Sequence, residues 1–297
     1  FELQIPNEYI KLKKSGNYLL KVWEDDEENV VLTKRFLVMD KKVQVDAHVS
    51  RARSVRNLDT HQQVEFTINH KNFDITNAFA EIHVSVLQNQ RWDNAMIGLQ
   101  PQFIKPDKLE FRSNEQIFPG GNEFHYFNIR SLRFHRENVR EITTEGYNHV
   151  YLFGGQERRL INYLFQNDAN GRYFIAIDEF DDDDVSADYA FVHFSLDAPE
   201  AIGEYYVFGA FNNWDLNHLN KMRLNSQTGL YEATLYLKQG YYNYHYIYYD
   251  RENPGVQTGP TEGDHYETEN DYLILVYYHS FDGNYDGLIG VERVKSL

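Results

Sequence analysis

Three stretches of the sequence bring together residue types that do chemistry. Asp282 to Gly287, DGNYDG, sets acidic and amide oxygens at alternate positions with glycine at the sharp bend, the opening of a calcium loop. The position that should close the loop with a carboxylate is Arg293, and the stretch lies between two strand-like runs, so a hairpin turn is expected there and no metal site. Asp181 to Asp184 is a run of four carboxylates; such a run extends by self-repulsion, which makes it a solvated linker. In the third stretch, VFGAFNNWDLNHL at 207–219, Gly209 permits a tight turn and the Asn pair can bond its own backbone. Trp214 there offers a flat face that either stacks on a pyranose ring or plugs the end of a sheet.

Catalytic patterns are missing. The twelve His are scattered, and His83, His193 and His245 alternate with apolar residues as strand side chains do. There is no HExxH, GxSxG, P-loop or GxGxxG pattern and no cysteine, so neither thiolate chemistry nor a disulfide is available. We expect no catalytic residue and no cofactor: a binding protein, not an enzyme.

Composition narrows the partners. The 297 residues supply material for about two or three cores, with 42% hydrophobic and 15% aromatic content, including 23 Tyr and 20 Phe. No stretch approaches the roughly 20 apolar residues of a spanning helix, so no membrane insertion is expected. With 45 acidic against 29 basic residues the net charge is −16, which repels a phosphate backbone and an anionic bilayer alike, so nucleic acid is not an expected partner. The sequence starts at Phe1 inside a strand-like run, and a targeting segment is expected upstream.

Period-two alternation runs through nearly the whole chain, with little helical spacing. The fold class is therefore all-β: tandem immunoglobulin-like or early-set β-sandwich domains with little helix. Two strands around an acidic turn, with Tyr18, Leu20 and Val22 on one face, make residues 1–42 the end of a first sandwich. VEFTIN, AEIHVSVLQN, EFHYFNIRSLRF, HVYLF and GRYFIAI compose a second domain over 43–186, and the strands from Ala187 onward a third over 187–297.

YYVFGAFNNWD followed by LYEATLYLKQGYYNYHYIYYD resembles the early-set sandwich of glycogen-binding modules, over about the last third of the chain. That resemblance implies an α-glucan site built from Trp214, Asn213, Tyr244 and His245 as an alternative function. His245 stands where such modules carry a lysine, and DRENPGVQTG lacks their second tryptophan, so Trp214 is expected to anchor core or loop.

A longer resemblance spans the chain. DTHQQVEFTIN (59–69), VLQNQRWDNA (86–95), FPGGNEFHYFNIRSLRF (118–134), DANGRYFI (168–175), ADYAFVHFSL (187–196), LKQGYYNYHY (237–246) and EGDHYETENDY (262–272) occur in this order. Together they resemble the type IX secretion system plug protein family of Bacteroidetes. The resemblance implies a periplasmic, non-catalytic protein that occludes the periplasmic mouth of the outer-membrane translocon. It also implies that 1–42 ends a domain begun upstream. The sequence departs from the family pattern at His125 and Asn128, where Arg and Asp are expected.

Two segments have docking character. Arg91, Trp92 and Asp93 combine aromatic and guanidinium groups on a turn; the same residues can instead pack and pair locally. Tyr266 and Glu267, in HYETEND, offer an acidic, aromatic loop before the YLILVYY strand.

Overall fold

The computed structural model describes residues 3–179, 183–200, 202–252, 255–281 and 283–296. Among them the regular structure is almost entirely strand, with three α-helical turns of four residues and two 3-10 turns of three, and no helix is long and apolar enough to cross a membrane. The all-β expectation holds. The chain forms two compact units whose segments are not consecutive.

The first unit gathers 1–50, 63–117 and 271–295. It holds the two-stranded ribbon Gly16–Trp23 and Val30–Val38, in which Tyr18 faces Phe36 with rings 5.3 Å apart. A four-stranded sheet runs Asp286–Lys295, Asp271–His279, Ile82–Gln88, Met96–Leu99, and a second sheet is led by Gln44–Arg51, His61–Asn69, Lys108–Phe111 and Phe103–Lys105. Val45, Val64, Phe66, Ile68, Val84, Val86, Ile274 and Val276 are buried, and Phe66 stacks on Phe111 at 4.5 Å.

The second unit gathers 51–62, 118–270 and the last two residues. Its larger sheet orders Val139–Glu145, Tyr147–Leu152, Tyr189–Asp197, Tyr231–Lys238 and Arg223–Leu224. In Tyr189–Asp197 the alternation is clean: Ala190, Val192, Phe194 and Leu196 point inward, the pattern that fixes register when one face is buried. Opposite them lies the sheet built on Gly240–Tyr249, paired with His125–Asn128, Tyr173–Ile175 and Glu204–Phe208. Phe127, Tyr205, Val207, Tyr242, Tyr244 and Tyr246 fill the space between. This is a sandwich with an aromatic core, in which rings add directional contacts to burial.

The expected boundaries at 42/43 and 186/187 differ from this division. His125–Asn128 and Tyr173–Ile175 pair with Gly240–Tyr249, while Asp271–His279 pairs with Ile82–Gln88. The sandwich expected over 187–297 is therefore completed by 118–175 and gives its last two strands to the other unit. Alternation specifies that a segment is a strand and which side is wet; it does not name the neighbour. The strand pair of 1–42 belongs to the first unit, where Asp40 and Lys42 donate backbone hydrogen bonds to Leu288 and Ile289 (2.9 and 2.8 Å). Asp181 and Asp182 of the expected linker lie outside the described residues, as does Asp282 of DGNYDG. The remainder of that loop is the turn of the antiparallel pair Asp271–His279 and Asp286–Lys295, with Asp286 held by His279 at 2.7 Å and Arg293 paired with Asp271.

Candidate docking site

Trp214 sits in a loop made by its own sequence. Asn212 Oδ1 accepts from the Gly209 N–H (3.2 Å), Asn212 Nδ2 donates to the Val207 carbonyl (2.9 Å), and Asn213 and Trp214 take left-handed conformations at φ 56° and 60°. The indole turns inward, edge-on to Phe208 (5.2 Å) and Phe124 (6.0 Å) and beside the buried Tyr206, Phe208 and Ile247. It lies so close to Gly171 that a Cβ there would come within 2.2 Å of the indole Cη2. Trp214 therefore anchors the loop.

The glucan constellation is not formed. Neighbours in an extended strand point to opposite faces, so Tyr244 enters the sandwich core while His245 stacks on Phe124 at 3.8 Å, and both are buried. Asn213 alone of the four is exposed. Where a second tryptophan would stand, Arg251 and Lys221 instead hold Glu204, each at 2.6 Å. The carbohydrate alternative is not supported: Trp214 is turned toward Phe208 and Phe124, and Tyr244 and His245 are buried, so the four residues do not share one solvent-facing platform.

Arg91 is buried and binds Asp93 through two nitrogens, Nε to Oδ1 at 3.1 Å and Nη2 to Oδ2 at 2.6 Å. Trp92 packs against the cluster of Leu87, Leu275, Tyr277 and Leu288, with the Arg35 guanidinium 5.8 Å from its ring centre. Of the two readings open in the sequence, the geometry takes the local one.

Tyr266 and Glu267 are half-buried on a turn fastened from several sides. The His265 and Tyr266 N–H groups donate to the carbonyls of Gly121 (2.8 Å) and Asp59 (3.1 Å), Gln62 Nε2 donates to the Tyr266 and Thr268 carbonyls (2.7 and 2.6 Å), and Arg51 lies 4.2 Å over the Tyr266 ring. Gly120 makes this approach possible, since a Cβ there would fall 1.9 Å from the His265 carbonyl oxygen.

Beside that turn lies a charge cluster that no motif in the sequence announces. Glu262, fully buried, accepts from Arg158 Nε (2.7 Å) and the Tyr246 N–H (2.8 Å), lies 3.2 Å from His125 Nε2, and faces His245 Nδ1 at 3.6 Å. Burial pushes its carboxyl up, but the charges on His125 and Arg158 and the histidine hydrogen bonds hold it well below the usual carboxylate range. His245 goes the other way, lowered to about 4 chiefly by burial. His125 thus has a partner in this chain, and so has Asn128, whose amide donates to Glu137 at 2.7 Å.

A second cluster adjoins the first. Glu123 accepts from the Tyr163 hydroxyl (2.5 Å) and the Glu269 N–H (3.2 Å), and Asp168 accepts from the N–H groups of Phe124 (2.5 Å) and Asn170 (2.6 Å). Burial, with the neighbouring acids adding to it, raises Asp168 to about 7; burial also raises Glu123. Among the described residues no group of three or more acids and histidines is arranged to hold a metal ion. The clusters secure the irregular segment 157–169 and the turn 263–269 to the sandwich.

Comparison with known proteins identifies the lineage. Residues 1–40 match the sequence profile of the type 9 secretion system plug protein 1st domain. The chain is 36% identical to a hypothetical protein from Parabacteroides merdae ATCC 43184 whose crystal structure is known at 2.30 Å resolution, with a TM-score of 0.94, covering 99% of this chain and 75% of that one. No curated protein matches. Thus, with the family's first domain matched over residues 1–40, the chain belongs to the type IX secretion system plug protein family.

Proposed function

We propose that this protein is a non-catalytic periplasmic docking protein that occludes the periplasmic opening of the type IX outer-membrane translocon when no cargo fills it. The observation that carries the reading is the family membership. The physical character of the sandwich agrees with it. An occluding body has to keep its shape against a pore, and rings locked across strands lose little freedom and deform little: Phe127 on Tyr242 at 5.0 Å, Tyr173 on Tyr242 at 5.4 Å, Phe194 on Tyr244 at 5.2 Å. Several phenols are also tied by their hydroxyls, as Tyr246 is to the Ser195 carbonyl at 3.0 Å. The clustered carboxylates and histidines serve as internal fasteners, with Glu262 and Glu123 both buried.

The test is co-elution of the purified protein with detergent-solubilised translocon, with and without cargo, beside an unrelated acidic β-sandwich. Binding to the cargo-free translocon alone is expected. Equal binding to both forms would contradict occlusion, and binding to neither would remove the docking role.

A further inference from the structure

The segment that follows Gly155–Gln156 runs from 157 to 169 without regular structure, yet it carries four large apolar side chains into water: Leu160 is 88% exposed, Ile161 54%, Leu164 80% and Phe165 56%. Single exposed apolar residues are ordinary; four within six positions concentrate apolar surface on one segment, as interaction sites do.

The segment is firmly held. Arg158 is bound to Glu262 and donates to the Glu123 carbonyl (2.7 Å), Tyr163 to Glu123, and Gln166 to the Phe124 carbonyl (3.2 Å), so anchors alternate with outward-facing apolar residues. Half-buried, hydrogen-bonded anchors preorganise the tips between them, which lowers the ordering cost of an encounter. The turn carrying Tyr266 and Glu267 runs alongside: the His265 and Tyr163 rings are 5.7 Å apart, and a Cβ on Gly263 would touch Arg159 Cα at 3.2 Å.

Charge selects the occupant. Glu267 and Glu269 stand beside Tyr163 and Asp168 at the margin of the patch, and its two arginines are already engaged, Arg158 by Glu262 and Arg159 by Glu157. This local excess of acid lies within a chain of net charge −16. A second copy would bring the same charge to the same place, and an anionic bilayer repels it, whereas a surface with basic residues around an apolar cleft matches it.

We propose that Leu160, Ile161, Leu164 and Phe165, with Tyr266 and Glu267 at their margin, form the face that seats in an apolar, basic-rimmed cleft of the type IX translocon. This rests on the docking role proposed above and names its surface.

The test measures binding of the labelled full chain to detergent-solubilised, cargo-free translocon at low and moderate salt. Leu164→Ser combined with Phe165→Ser is expected to weaken binding about 30-fold, the loss typical of central apolar anchors, with an unchanged melting temperature. Phe281→Ser, at a residue of the other unit that is 95% exposed, is expected to leave binding within about twofold. Glu267→Lys is expected to weaken binding about tenfold at low salt and less at moderate salt, and serves if the double variant folds poorly. Wild-type binding unaffected by all of these changes would overturn the assigned face while leaving the docking role standing. No binding by the wild type would overturn both. Self-association in sedimentation, abolished by the double variant, would assign the face to a second copy and refute the translocon assignment.

Discussion

Glu262→Gln tests whether one buried carboxylate holds the second unit together. The amide keeps the shape, and its oxygen can still accept the Tyr246 N–H, but it removes the charge that Arg158 faces at 2.6 Å and His125 at 3.2 Å. Removing one partner of a buried ion pair costs about 3 to 5 kcal/mol, because the other charge remains desolvated. Arg158 is about one-fifth exposed and keeps its bond to the Glu123 carbonyl, so the lower end, about 3 kcal/mol, applies. For a domain of 150 to 250 residues each kcal/mol lowers the melting temperature by about 2 to 4 °C, which gives a fall of about 6 to 12 °C at pH 7. Differential scanning calorimetry reads it, with Glu267→Gln as a control that should move little. A Glu262→Gln transition within about 2 °C of wild type would refute the reasoning, since the carboxylate would then have been compensated without its partners.

Two further outcomes follow from the same geometry. Gly171→Ala should cost about 3 kcal/mol from the clash with Trp214 and a φ of +77°, and Trp214→Ala about 3 kcal/mol from lost packing. In a double-mutant cycle the two should fall short of additivity by about 1 to 2 kcal/mol, read by urea titration, because deleting the indole removes its share of the clash while the Phe124 ring, 2.8 Å from that Cβ, and the backbone strain remain; strict additivity would mean the indole lies elsewhere. Glu123 and Asp168 have raised pKa values, so the folded state binds more protons than the unfolded chain between the ordinary carboxylate range and about pH 7. Their contribution therefore favours folding at the acid end of that window and is lost as pH rises through it. Melting temperature should fall from pH 5 to 7.5 in that component, and Glu123→Gln, which still accepts from Tyr163 and the Glu269 N–H, should flatten the slope. An identical slope in the variant would show that the pair does not titrate as described.

How far the sequence reached depends on how local each feature is. The long strands were legible because alternation such as Ala190, Val192, Phe194, Leu196 is written in consecutive residues. The FNNW loop was legible for the same reason, since Gly209, Asn212 and Trp214 make the turn among themselves. Strand neighbours were not, and the strands at 271–295 joined the first unit against the expected order because pairing is settled by long-range burial. The site was least legible. Glu262 stands in GPTEGD without periodic or motif signal, and its partners lie 104 and 137 residues away in sequence. The run RRLINYLF is apolar enough to pass for a core strand, and only the anchoring of Arg158 and Tyr163 turns its other side chains to water. Tyr266 and Glu267 were expected from composition and enter the account only as the margin of the proposed face. Trp214, Tyr244 and His245 are landmarks of the sandwich and do not assemble into a shared sugar platform, because alternation buries the latter two on opposite faces.

The central claim is occlusion, and the most direct measurement is flux of a small fluorescent solute through cargo-free translocon reconstituted in vesicles. Adding this protein on the periplasmic side is predicted to suppress the flux, and a cargo-loaded translocon to be indifferent to it. Undiminished flux through translocon that demonstrably carries the bound protein would contradict the account.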